Sequence, residues 1–450
     1  MLIRIVAKNL FSFKEETEFN LFPNKTQRLS HHKVKKNDFD ILRLSAIYGA
    51  NGSGKSNLIK VVSLLESMIV DEGKLLPYKD FEFKLKEENS NKEPSSIGIE
   101  FFVREKFYYY SISFKDGIIF NEYLAESKKE KDILIFERNY ENDIQSINFF
   151  DGYTDNEKNK LFVDVLAEKL LQKDELLISF LNAKYKNDFE DIENVFFWFD
   201  KLLVIIKPDA KPGILAHLID VNNDLSDFAN TFIPSLNTGI SKLKTIKKKF
   251  IDFTSNKEQI DLITDKIKKS PDNQIVIENS ETGEEATLVY EEDEIFIKRL
   301  VTSHLNDKGN EVEFEVGLES DGTKRLIDYI PAIHSILHQE SVYLIDEIER
   351  SIHPITIKEI ISKISLDKNA KGQLIFTTHE SSLLDQEILR PDEIWFAQKD
   401  IDGSSKLYSL SDFNIHNTAN IENGYLNGRY GGIPFLTRLQ DLNWHKYEVS

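Results

Sequence analysis

Ile47-Tyr48-Gly49-Ala50-Asn51-Gly52-Ser53-Gly54-Lys55-Ser56 decides how the rest of this chain is read. The glycines, lysine and serine have the spacing G-x-x-x-x-G-K-S. Ahead of them Leu42 to Tyr48 is an apolar-rich run with no breaker, which predicts a strand. Behind them Leu58, Val61, Val62, Leu65 and Met68 recur at helical spacing, which predicts a helix over Ser56 to Val70. Glycine lets the backbone close round an anion with its N–H groups turned inward. A helix that starts at the same point adds the positive end of its dipole. The spacing therefore predicts a nucleoside triphosphate site. Gly49, Asn51, Gly52, Ser53, Gly54 and Asn57 would line the cradle, Lys55 would reach the β- and γ-phosphates, and the Ser56 hydroxyl would coordinate Mg²⁺.

The 450 residues allow two or three domains. A 30% charged fraction beside 31 Phe fits a globular fold with a sizeable core, and the formal charge of −19 argues against non-specific nucleic-acid binding by the whole surface. Zero cysteines remove disulfides, thiolate metal sites and cysteine nucleophiles together. No apolar stretch approaches the length that spans a bilayer, and Met1-Leu2-Ile3-Arg4 leads straight into a strand rather than a signal peptide, so the expected location is cytoplasmic.

Ile3, Ile5 and Ala7 alternate, as do Thr17, Phe19 and Leu21, so two strands flank Asn9-Leu10-Phe11-Ser12-Phe13. The basic, apolar-poor residues 23 to 41 read as a loop. After the loop-borne helix, Ile97 to Val103 and Tyr108 to Phe114 alternate, and Lys115-Asp116-Gly117 turns the chain into Ile118-Ile119-Phe120. This is an antiparallel meander. Tyr108-Tyr109-Tyr110 reads as strand packing in preference to base stacking. From about Asp155 the chain becomes charged and helical. Leu161 to Leu171, Val195 to Ile206 and Leu236 to Phe250 all carry apolar residues at helical spacing. The run Lys242 to Lys249 reads as a solvated helix face, with a phosphate-backbone contact as the alternative. Strands return after Ser270-Pro271-Asp272-Asn273, with turns at Thr282-Gly283 and Asn306 to Asn310. These changes divide the chain into an N-terminal lobe at 1–150, a helical insertion at 151–272 and a C-terminal lobe at 273–450.

The second half of the site lies in that last stretch. Val342-Tyr343-Leu344-Ile345-Asp346-Glu347 is an apolar strand ending in two carboxylates. In that arrangement Asp346 holds Mg²⁺ and Glu347 orients and deprotonates the attacking water. Gln373 to Thr378 is a second buried strand, ending at His379, one β-α unit later, where it would meet the γ-phosphate. Ser320 and Gly322 open a helix, either as a plain N-cap or as hydroxyl and N–H groups offered to an anion. Pro331 should interrupt that helix.

In this order, the phosphate loop, the Ser-x-Gly helix start, Asp346-Glu347 and His379 resemble the motifs of ABC-type ATPases. Asn9-Leu10-Phe11-Ser12-Phe13 is similar to the N-terminal motif of the SMC and RecF-like branch, and Ser351-Ile352-His353-Pro354 to its D-loop. Tyr425-Leu426-Asn427-Gly428-Arg429-Tyr430-Gly431-Gly432-Ile433-Pro434 resembles the C-terminal signature of small stand-alone bacterial ATPases of the abortive-infection group in anti-phage defence. The signature here is Glu319-Ser320-Asp321-Gly322-Thr323, where transporters have Ser-Gly-Gly. The related overcoming-lysogenization-defect nucleases add a TOPRIM domain. No Asp-x-Asp behind a suitable glutamate-bearing strand follows His379, so no TOPRIM nuclease is expected. The resemblance covers roughly 1 to 125 and 275 to 440.

The resemblance implies an α/β fold: an ABC-type P-loop ATPase with an antiparallel β subdomain, a mainly parallel central sheet flanked by helices, and a helical insertion. It also implies an ATP-hydrolysing switch, at least a homodimer sandwiching ATP with Ser320 and Gly322 supplied in trans. Such a switch would control a separate effector such as a toxin or nuclease, with a phage-derived trigger. Two alternatives stay open: a DNA-binding RecF-like repair ATPase using Lys242 to Lys249, and a P-loop small-molecule kinase.

Overall fold

The computed structural model describes residues 1–76, 81–85, 93–252, 257–270, 274–278, 285–416 and 419–433. The chain divides into two compact units. The first comprises Met1–Ile206, Glu340–Ile348 and the chain from Ile361 onward; the second comprises Lys207–Gln339 and Glu349–Ile360.

The first unit holds the two sheets that the resemblance implies. A seven-stranded antiparallel sheet runs in the order Ile144–Phe149, Ile133–Glu141, Ile118–Glu126, Lys106–Lys115, Ser95–Val103, Leu2–Lys8, Thr17–Asn20. The hairpin at Asp116-Gly117 turns with both residues at positive φ, 51° and 76°, the geometry that matches strand twist in a two-residue turn. A six-stranded sheet runs Leu203–Ile206, Val342–Ile345, Gln373–Thr377, Leu44–Tyr48, Ile394–Lys399, Ser405–Ser409. Its first five strands are parallel and the last is antiparallel. Parallel strands covered on both faces read as continuous apolar runs, and Leu44–Tyr48, Val342–Ile345 and Gln373–Thr377 are buried at every position. The helix Lys55–Ser67 buries Leu58, Val61, Val62 and Leu65 in the same core, each at 2% exposure or less. At that burial each side chain contributes about 1.5–3 kcal/mol.

Three of the buried polar side chains in this core are tied together by hydrogen bonds and charge: Tyr110, Glu122 and Arg138. Tyr108 and Tyr110 lie in the core, with their hydroxyls on Asp191 and Glu122, so the tyrosine run is packing and not a stacking platform. Glu122, fully buried, also accepts from the backbone N–H of Leu177 (2.7 Å) and of Ile178 (3.0 Å). It lies 3.6 Å from the equally buried Arg138, whose guanidinium donates to the carbonyls of Gln172 and Glu175.

The second unit is built on a sheet with the order Ile240–Lys249, Glu294–Leu305, Glu285–Glu291, Gln274–Glu278; Glu311–Glu315 pairs with the far half of Glu294–Leu305. Helices Leu215–Val221, Asn223–Ser235, Asp321–Asp328 and Ile330–His338 belong to this unit.

Three local expectations are corrected. Residues 23 to 41 are not one loop: Lys33–Lys36 and Phe39–Leu42 form a hairpin turning at Asn37, φ 50°. Beside it His32 is fully buried on Glu393 at 2.8 Å. Val195 to Ile206 ends as the edge strand Leu203–Ile206. That unbroken apolar run is short enough to be a buried strand, and spacing alone does not separate the two. Leu236 to Phe250 is not a helix, because Ile240–Lys249 is a strand. A register shift between Ile240 and Lys242 breaks its alternation, so Ile240, Leu243 and Ile246 fall at a spacing that imitates a helix. The Asn306 to Asn310 turn is found, with Gly309 at φ 75°. The Thr282-Gly283 turn and Pro271 to Asn273 lie outside the described residues.

Candidate nucleotide site

The phosphate loop leaves the strand Leu44–Tyr48, which lies between Gln373–Thr377 and Ile394–Lys399. Parallel strands in register bring their carboxyl ends to one level, and ligands bind at that edge of open α/β sheets. Ile345 is paired with Phe376, and Thr377 with Ile47. The residues that follow these strands, Gly49, Asp346 and Thr378-His379, therefore emerge together.

The loop is closely built. Gly54 has φ 107°, and a Cβ there would stand 2.3 Å from the Ser405 hydroxyl and 2.9 Å from that of Ser12. A Cβ on Gly49 would meet the Ala397 carbonyl at 2.4 Å. Only glycine fits either place. Asn57 donates to the Ser12 hydroxyl at 2.7 Å, and Ser405 donates to it at 2.8 Å. Ser12 thus ties the Asn9 to Phe13 segment to the loop, and Ser405 does so from the last strand of the sheet. Sequence reasoning gave Ser12 no role and passed over Ser405, which stands in no motif. Ser53 is buried with a hydroxyl that has no hydrogen-bond partner, while Asn51 and Gly52 are exposed. The Lys55 amine donates to the carbonyls of Gly49 (2.7 Å) and Ala50 (3.3 Å). The Lys55 side chain is buried.

Asp346 and Ser56 meet directly. The Ser56 hydroxyl donates to Asp346 Oδ1 at 3.0 Å, and the Thr377 hydroxyl donates to the same oxygen at 2.5 Å. Thr377 also accepts from the Glu347 N–H at 2.8 Å. Glu347 has φ 52°, a left-handed conformation that costs a non-glycine residue about 1–2 kcal/mol. The bond to Thr377, with that from the Ile348 N–H to the Thr377 carbonyl, holds it there. Thr377 is a residue that the sequence reading missed; its signal was the polar pair Thr377-Thr378 closing an apolar strand. His379 follows at an exposed position. Among the described residues no three His, Asp or Glu side chains gather as a metal site. One hydroxyl and one carboxylate suit Mg²⁺, which keeps waters and takes phosphate oxygens as further ligands. The crowded glycines, the orphan Ser53 hydroxyl and the inward Lys55 suit a phosphate chain.

Ser320 and Gly322 belong to the second unit. Ser320 is exposed and caps Asp321–Asp328 by accepting from the Thr323 N–H at 3.2 Å. A Cβ on Gly322 would stand 2.6 Å from the Ser351 carbonyl, and Ser351 itself has φ 62°. The two motifs are therefore in contact. Pro331 lies in the first turn of Ile330–His338, after a break at Tyr329, as its missing N–H requires. The Asp328 carboxyl, at the end of the signature helix, is pushed up to about 6 by burial, against the pull of Arg325. A carboxyl held above its unfolded value of 3.8 contributes stability that is complete below pH 3.8 and lost as pH rises through 6. Asp328→Asn is expected to stabilise the protein by about 2–3 kcal/mol at pH 7.5 and to flatten the pH dependence between 4 and 6. Urea unfolding across that range checks it, and an unchanged pH profile contradicts it.

The lysine run lies on a strand, and its charges are largely answered. Lys244 bonds to Glu311 and Glu313, Lys247 to Glu291, and Lys249 to Glu294. Lysines already paired with carboxylates are poorer contacts for a phosphate backbone. No helix among the described residues is long and apolar enough to cross a membrane.

A search of curated proteins finds no match. Among solved structures the chain is similar to an SMC head domain from Thermotoga maritima, at 11% identity and TM-score 0.38, covering 92% of this chain and 99% of that one. It is also similar to an SMC head bound to the C-terminal winged-helix domain of ScpA, at 13% identity and TM-score 0.41, covering 91% and 97%. The profile of the family described as "AAA domain, putative AbiEii toxin, Type IV TA system" matches residues 44–385, more than half of the sequence, and the chain belongs to that family.

Proposed function

We propose that this protein is an ATP-binding and hydrolysing switch whose subunits pair around ATP and thereby control a separate effector. The reading is carried by Ser56 and Asp346, 290 residues apart in sequence and joined by a 3.0 Å hydrogen bond at the carboxyl edge of the parallel sheet. Ser56 and Asp346 would hold Mg²⁺, which supplies positive charge against the phosphate oxygens. Gly49 to Gly54 and Asn57 would cradle the phosphates, and Lys55 would exchange its loop carbonyls for them. Glu347 would orient a water molecule and take its proton, with His379 beside the terminal phosphate. Ser320 and Gly322 of a second copy would close the site. Loss of the γ-phosphate then separates the copies, so chemistry becomes a change of assembly. The family's description names a putative toxin of a toxin–antitoxin system. That supports a role in defence, with a toxin or nuclease as effector and a phage product as trigger.

Light scattering coupled to size-exclusion chromatography tests the pairing. With ATP and Mg²⁺ the wild-type mass should at least double. Lys55→Ala should stay at the protomer mass and bind ATP about 10–100-fold more weakly, the cost of a charge-assisted bond. A wild-type protein that binds ATP without a change in mass overturns the pairing.

A further inference from the structure

The segment from Ala419 to Gly432 touches the nucleotide site at two separate places. Its short helix, Ile421–Leu426, lies against the turn Ser381–Leu383, immediately after His379. There the Ser381 hydroxyl donates to Glu422 Oε1 at 2.9 Å, and Gln386 donates to the Ala419 carbonyl at 2.9 Å. Its far end, Gly431-Gly432, runs beside the first glycine of the phosphate loop. A Cβ on Gly432 would lie 3.7 Å from the Gly49 Cα.

Between these ends the segment is held by rings. Phe396, on the strand beside the loop strand, stacks with Tyr425 (5.5 Å, 18°) and Tyr430 (6.1 Å, 17°). Tyr48, the last residue before Gly49, meets Tyr425 edge-on at 5.9 Å. These separations are those of favourable aromatic pairs. The Tyr425 hydroxyl donates to the Gly432 carbonyl at 3.2 Å, and that of Tyr408 to the Tyr430 carbonyl at 2.8 Å. The backbone here favours glycine. Gly431 and Gly432 both have positive φ, 71° and 68°, and a Cβ on Gly431 would fall 2.4 Å from Gln398 Oε1 and from the Tyr408 hydroxyl. A Cβ on Gly424 would strike the Tyr430 ring at 2.6 Å.

We propose that residues 419–432 are a positioning strap for the nucleotide site: the Gly432 end fixes the phosphate loop at Gly49, and the Glu422 end fixes the segment that carries His379. The inference rests on the ATPase reading above and adds to it. Neither end supplies a group to ATP. The strap keeps two separately encoded parts of the site in one arrangement, through the shared ring cluster around Phe396. Because its two ends meet different parts of the site, they should affect different steps. Disturbing the Gly432 end should alter ATP binding; releasing the Glu422 end should alter turnover.

The test measures ATP affinity, kcat and melting temperature for the full-length protein and three variants. Gly432→Ala, which forces a side chain into a left-handed conformation, should weaken ATP binding about tenfold with a smaller change in kcat. Glu422→Ala should lower kcat about three- to tenfold with unchanged affinity, the worth of one lost hydrogen bond. Glu422→Gln keeps an acceptor oxygen for Ser381 and should restore kcat. Affinity and kcat that fall together in both variants, in step with melting temperature, make the segment mere structural support and overturn the proposal. Variants that match wild type in both quantities overturn it too. A wild-type protein that binds and hydrolyses ATP while its variants behave identically sinks the strap alone. A wild-type protein that binds no ATP takes the ATPase reading down with it.

Discussion

Glu347→Gln should lower ATP hydrolysis by about 10²–10³-fold, the usual worth of a positioned general base, while leaving ATP binding intact. Gln has the same length and nearly the same volume. The backbone N–H bond to Thr377 and the left-handed turn at φ 52° therefore need not change. What disappears is the negative oxygen that accepts a proton from water. On the proposed reading the variant accumulates in its ATP-bound assembly, and phosphate release measured beside chromatographic mass reads both effects. Turnover near the wild-type rate would assign the water to another residue. Loss of binding would mean that Glu347 shapes the loop.

A second large effect concerns stability. Glu122→Ala should cost about 3–5 kcal/mol, the loss that follows when one member of a buried ion pair is removed. Glu122 satisfies the first N–H groups of the helix Leu177–Tyr185, where no side-chain cap exists, along with the Tyr110 hydroxyl and the Arg138 charge. Burial pushes its carboxyl up, and Arg138 and the two N–H groups pull it back. Removing it leaves Arg138, with no exposed side-chain surface, short of its counter-charge. Glu122→Gln, which keeps one acceptor oxygen but no charge, should lose less. Urea denaturation followed by fluorescence reads the difference, since Trp198 is fully buried in the same core, stacked on Phe101 at 4.2 Å. A cost below about 1 kcal/mol, the range of exposed ion pairs, would mean that water reaches the site.

Much of this was legible before any coordinates. The phosphate loop could be read because three signals agree on it: glycine spacing, the apolar strand before it and the helical face after it. Asp346-Glu347 and His379 could be read because a buried parallel strand is an unbroken apolar run, and its polar terminator stands out. The strand Leu203–Ile206 escaped because a short apolar run at the end of a helix keeps the same composition in either state. The strand Ile240–Lys249 escaped because its irregular register destroyed the period-two pattern on which strand reading depends. Ser405 carried no usable signal, and Thr377 only that of a polar pair closing an apolar strand, since one hydroxyl in a strand looks like any other until its neighbours are known.

By itself the sequence determined the chemistry available: a glycine cradle with Lys55 and Ser56, and the two carboxylates Asp346 and Glu347 at a strand end. Local spacing is sufficient there, because the groups that make a phosphate loop are contiguous. Tertiary structure alone decided that the Ser56 hydroxyl meets Asp346, that Thr377 fixes both Asp346 and Glu347, and that Ser12, Ser405 and Gly432 close in on the loop glycines. These pairings depend on strand order and register, which join residues hundreds of positions apart, and no local pattern encodes which strand will lie beside which.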